Sequence, residues 1–189
     1  MCEKMKIRRS KIPFIVILPV LFPYLVLFSL ICILTNTFME ILFYNNSLFI
    51  LLYLIIIYIA ALICTTIFFI RNILLHRDFI EILKINMIVK IIQIPAYIVL
   101  FLLGMLFLIT IFTMGISVVL LVFNGMAIFL TGLIGLSGII RCFFEKKLSL
   151  KNTVMYAIFQ FIFVIDVIFC IIIYRKMRGQ NGKRNQISS

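Results

Sequence analysis

Asp166 has the most chemical potential of any side chain here, because it is the one charged-type residue deep inside the otherwise uncharged run 152–174. It lies nine residues before Arg175, ~13 Å along a helix, and an ionised carboxylate so placed in lipid costs roughly 2.5–3.5 kcal/mol. Such a group is expected to face protein or a water-filled cavity, and to be protonated or well hydrogen-bonded. Gln160, Asn124 and Gln93 are the other polar side chains set in apolar stretches. A carboxyl that changes charge beside an amide would suit ion or proton handling, which makes Asp166 and Gln160 a candidate intramembrane polar site. The plainer reading is structural. No Lys or Arg is expected within reach, since Lys151 is ~22 Å away on the same helix, and no second buried acid accompanies it.

The remaining motifs point away from catalysis. His76, Arg77 and Asp78 spell the start of a kinase catalytic loop, but Leu83 stands where that loop needs Asn and there is no glycine-rich phosphate loop. His76 alone reads as a solvated side chain. The five cysteines, Cys2, Cys32, Cys64, Cys142 and Cys170, form no CxxC and no metal-ligand spacing with His76. HExxH, GxSxG and Walker sequences are missing from the chain. A non-enzymatic protein without catalytic, cofactor-binding or metal residues is therefore expected.

A second signal is steric. Asn124, Ala127, Thr131, Gly135 and Gly138 recur at spacings of 3, 4, 4 and 3, which stacks small or polar residues on one helix face. Small side chains let backbones approach, so this face is expected to pack on another helix, by preference one of the same chain.

The elements that must position these residues follow from composition. Of 189 residues, 65% are hydrophobic and 13% charged, more apolar surface than one soluble core can hide. The apolar runs are continuous rather than alternating, which rejects a β-barrel and predicts an all-α, polytopic transmembrane helix bundle of about five spans. A single transmembrane domain is expected over 13–174, with spans at about 13–35, 48–70, 91–112, 115–140 and 152–174. The run 91–140 has no charge and would measure ~75 Å as one helix, so it must double back, with 113–115 the expected turn. Pro19 and Pro23 predict an irregular first span, tolerable where neighbours satisfy the freed carbonyls. The segment 71–90 reads as an amphipathic interfacial stretch, with Arg77, Glu81 and Lys84 on one face.

The 18 Lys and Arg fall in four clusters: five in the basic N-terminus 1–12, four in 71–90, four in 141–151 and five in the tail 175–189, which is expected to be disordered. A net charge of +12 arranged this way suits anionic headgroups at basic loops and not nucleic acid. The positive-inside rule puts the N-terminus in the cytoplasm of a multi-pass cell-membrane protein, the first span serving as an uncleaved signal anchor. Five spans then leave the basic tail outside, in conflict with the same rule.

The segment 84–115, through its apolar residues around Gln93, Pro95 and Gly104, resembles stretches of small uncharacterised multi-pass membrane proteins of low-GC Gram-positive bacteria. That resemblance implies no activity and no site. Two function classes follow from the residues. The first is an accessory or interaction protein that binds a membrane protein partner or a second copy through faces such as that at Gly135. The alternative is a small transporter or channel component using Asp166. What separates them is whether polar groups from several helices converge.

Overall fold

The computed structural model describes residues 13–35, 40, 46–75, 77–109, 114–162 and 165–187. The N-terminal cluster 1–12, His76, Thr113 and most of the connection 36–47 lie outside the described residues. A 3-10 turn at Phe14–Val16 leads into α1 (Ile17–Leu34), followed by α2 (Ser47–Leu74), α3 (Phe79–Leu108), α4 (Met114–Phe144), α5 (Leu150–Phe159) and α6 (Ile165–Ile187). Among the described residues there is no strand, and the fold is an all-α bundle.

Among the described residues, four helices are long and apolar enough to cross a membrane: Phe14–Leu34, Leu48–Leu74, Phe79–Leu108 and Met114–Phe144. Their starts are set by local chemistry. Asn46 accepts from the Leu48 amide at 3.0 Å and Asp78 Oδ1 from Ile80 at 3.1 Å, each side chain capping an orphan donor. At the other end of α4, Lys146 takes a left-handed φ of 54° and turns the chain toward α5.

The α3 and α4 pair is the spine of the bundle. The site a Cβ would take at Gly138 lies 3.0 Å from Leu83, that at Gly135 lies 2.6 Å from Asn86, and Ser117 Oγ donates to the Gly104 carbonyl at 2.8 Å. As the index rises on one helix it falls equally on the other, so the two run antiparallel in constant register. Helix α1 joins them through a core of Phe22, Val26, Leu30, Leu54, Ala61, Tyr97, Leu100 and Phe123.

The expected fifth span is not one helix. The segment 152–174 is divided between α5, which ends at Phe159 and is followed by a turn at 160–162, and α6, which starts at Ile165, and the two helices fold back on one another. Phe159 and Phe169 stack at 4.2 Å, and Lys176 Nζ lies 5.9 Å from the Tyr156 ring. Helix α6 runs antiparallel to α3: Asp166 meets Lys90, Cys170 meets Asn86, and Ile173 and Met177 join Phe79 and Leu83 in one cluster. Each arm offers ten residues of mostly apolar helix, ~15 Å, or half of a ~30 Å hydrocarbon core. The pair is a helical hairpin that returns to the end of the bundle it left.

Two other expected boundaries move. The stretch 71–90 is not a single interfacial helix, because α2 extends to Leu74 and α3 starts afresh at Phe79, so that Lys90 lies eleven residues, ~16 Å, inside a spanning helix. Of the residues expected to turn between the third and fourth spans, Met114 and Gly115 are helical, and Thr113 lies outside the described residues. One end of the bundle therefore gathers the start of α1, the 75–78 and 145–149 connections and the polar half of α6. We call it the basic end.

Proline is accommodated as the irregular first span requires. Pro23 lacks the N–H that would bond the Pro19 carbonyl one turn earlier. Gln93 Nε2 donates to that carbonyl at 2.9 Å, and Tyr97 Oη holds Gln93 by donating to its Oε1 at 2.9 Å. Tyr24 Oη in turn donates to the Ile92 carbonyl, beside the one that Pro95 leaves free.

Candidate functional site

A charged pair buried at mid-depth needs local elements that can hold it. Lys90 and Asn86 stand one turn apart on α3, so both project toward the hairpin tip. Asp166 lies in the first turn of α6, where a carboxylate is favoured by the exposed amides of a helix N-terminus. Gln160 is the C-cap residue of α5.

These groups converge. Lys90 Nζ lies 2.7 Å from Asp166 Oδ2 and also donates to the Gln160 carbonyl at 3.3 Å. Asn86 Nδ2 donates to Gln160 Oε1 at 3.2 Å and to Cys170 Sγ at 3.0 Å. The backbone at Gly135 of α4 closes the cluster: a Cβ there would fall 2.2 Å from Gln160 Oε1. Lys90, Asn86, Gln160, Asp166 and Cys170 are all buried. Two atoms in this cluster, Asn86 Oδ1 and Gln160 Nε2, have no hydrogen-bond partner among the described residues.

The expectation that Asp166 has no basic partner is corrected by Lys90. Lys90 is distant in sequence and was assigned to the interfacial segment, whereas the early start of α3 carries it into the bundle. A buried carboxylate and ammonium in contact each reduce the other's desolvation cost, which neither could bear alone in lipid.

Of the small-residue face on α4, Ala127, Thr131, Gly135 and Gly138 are buried and Asn124 is half-buried. Gly135 meets Asn86 and Gln160, and Gly138 meets Ile82 and Leu83, so the contacts at this end of the face are made within the chain. Asn124 lies apart from the ion pair, beside Gly104 and Ser117 in a 180 Å³ cavity between α3 and α4, and its Oδ1 is unpartnered among the described residues.

Sequence reasoning missed Lys90, Asn86 and Cys170. A signal for the first two was present: Asn86, Lys90, Gln93 and Tyr97 are spaced 4, 3 and 4, a polar stripe that enters the apolar run on one helical face. Compared with protein-family models, with curated proteins and with solved structures, the chain yields no match.

Proposed function

We propose that this membrane-embedded bundle is a small carrier or channel component that handles a proton or small cation at the Lys90 and Asp166 pair. The supporting observation is convergence: polar groups from α3, α5 and α6 meet against Gly135 of α4 at a helix break, halfway along the bundle. Discontinuous helices at mid-depth are where transporters put their ion sites, because a broken helix frees backbone groups to bind charge. The accessory-protein reading has less support, since the glycines of the α4 face are engaged within the chain.

The device is electrostatic. Protonation of Asp166 removes the charge that faces the Lys90 ammonium, so a proton or cation reaching the carboxylate is coupled to the charge balance of the pair. Asn86 Oδ1 and Gln160 Nε2 offer an acceptor and a donor next to the moving charge. No cofactor, metal or covalent chemistry enters. The bundle sits in the cell membrane with its basic end in the cytoplasm, the orientation favoured when every Lys and Arg cluster adjoins one side.

The test is flux. Purified protein in liposomes with a trapped pH dye should dissipate an imposed proton gradient, or admit Na⁺ or K⁺ under an imposed potential. Because Asp166→Asn alone leaves Lys90 as an unpaired buried charge, the test uses Lys90→Met with Asp166→Leu, which removes both charges and should abolish flux while keeping helical content and monodispersity. Wild-type protein inert to all three ions, or a variant with undiminished flux, overturns the proposal.

A further inference from the structure

We infer that the cleft between α3 and α6 at the basic end is a site for one anionic phospholipid of that leaflet. The cleft has a volume of about 680 Å³ and is lined by Met87 and Ile91 of α3 and by Ile171, Tyr174, Arg175 and Arg178 of α6. Gly179 completes the lining, and a Cβ built there meets nothing within 4 Å, so the mouth stays open beside the arginines.

Its polarity is graded along the membrane normal. Arg175 and Arg178 are one turn apart on α6, both exposed, and among the described residues no acidic side chain lines the cleft. Two guanidiniums with five donors each are suited to a phosphate diester. Arg175 lies ~13 Å beyond Asp166, which puts this charge at headgroup level while Ile171 and Ile91 face the hydrocarbon. A basic pocket between helices on this face of a membrane is matched to an anionic headgroup.

A second cavity carries the argument to the acyl chains. It has a volume of about 600 Å³ and is lined by Ile94, Tyr97, Ile98, Phe101, Leu102, Val167 and Ile168. Met87, Ile91, Ile94, Ile98 and Leu102 recur at 4, 3, 4 and 4 on α3, so the two cavities form one file along a single helix face. The hairpin reaches only half depth, and the apolar cavity begins where it stops. Charge at one end, apolar walls through the middle and a far end of aliphatic and aromatic side chains fit an entire lipid rather than a soluble phosphate or a peptide.

The experiment is native mass spectrometry of the full chain in detergent, titrated with phosphatidylglycerol and, separately, phosphatidylcholine. One phosphatidylglycerol should be retained roughly tenfold or more tightly than phosphatidylcholine. The double variant Arg175→Gln, Arg178→Gln should lose that preference. Lys146→Gln with Lys147→Gln, an equal charge change at a different loop, should keep it. Both pairs include exposed side chains, so melting curves are expected to match the wild type and to separate lost binding from lost fold. Equal retention of the two lipids, equal loss in both double variants, or displacement by equimolar inorganic phosphate overturns the assignment.

Discussion

Lys90 Nζ lies 2.7 Å from Asp166 Oδ2 across 76 positions of sequence, with the two side chains 0% and 2% exposed. Removing one partner leaves an uncompensated buried charge, which costs roughly 3–5 kcal/mol, whereas replacing both with apolar groups is often neutral. Lys90→Met is therefore expected to destabilise the bundle strongly, and Lys90→Met with Asp166→Leu to recover most of the loss. Unfolding midpoints of the four proteins in a double-mutant cycle measure this. Additive effects would mean that the pair is not coupled.

Gly135 gives a steric prediction. A Cβ there meets Gln160 Oε1 at 2.2 Å and Asn86 Nδ2 at 2.6 Å, while one at Gly125 meets nothing within 4 Å. Gly135→Ala should cost roughly 1–3 kcal/mol, since either the amide network or the α3 and α4 spacing must give way. Gly125→Ala should stay within about 0.5 kcal/mol of wild type or gain slightly from helix propensity. Thermal melts in detergent compare them, and matching melts would contradict the close approach.

The hydrogen bond from Gln93 to the Pro19 carbonyl replaces the one that Pro23 cannot make. Gln93→Leu should cost about 1–2 kcal/mol by leaving that carbonyl bare in an apolar setting. In a Pro23→Ala background the backbone N–H returns, and the same Gln93→Leu change should cost much less. Equal penalties in the two backgrounds, read from unfolding midpoints, would remove this account of the proline.

Topology provides a fourth test. With the proposed orientation, in which the basic end is cytoplasmic, Gly182 is expected on the cytoplasmic face and Asn46 on the opposite one. Reporter fusions or cysteine labelling in intact cells read both positions. An external Gly182 would require 150–174 to cross the membrane and would contradict the hairpin geometry.

Hydrophobic content and charge spacing were enough to establish a helical membrane bundle. Runs of more than 20 uncharged residues admit no other way of satisfying their backbone in lipid. The small-residue spacing on α4 and the need of Pro23 for an outside hydrogen-bond partner were legible for a similar reason, since each follows from periodicity or from a missing atom within one helix.

The hairpin was not legible, and neither was the partner of Asp166. The stretch 160–164 reads Gln, Phe, Ile, Phe, Val and contains no Gly or Pro to mark a turn. By its own propensities 152–174 is one helix of spanning length. The break puts Asp166 against Lys90 and the Gln160 carbonyl within reach of the same ammonium, an arrangement whose stabilisation comes from residues 70 or more positions away. Local sequence sets the energy of each helix in isolation. Where a helix yields to satisfy a buried charge is decided by what the rest of the bundle brings to it, and that is a property of the tertiary structure alone.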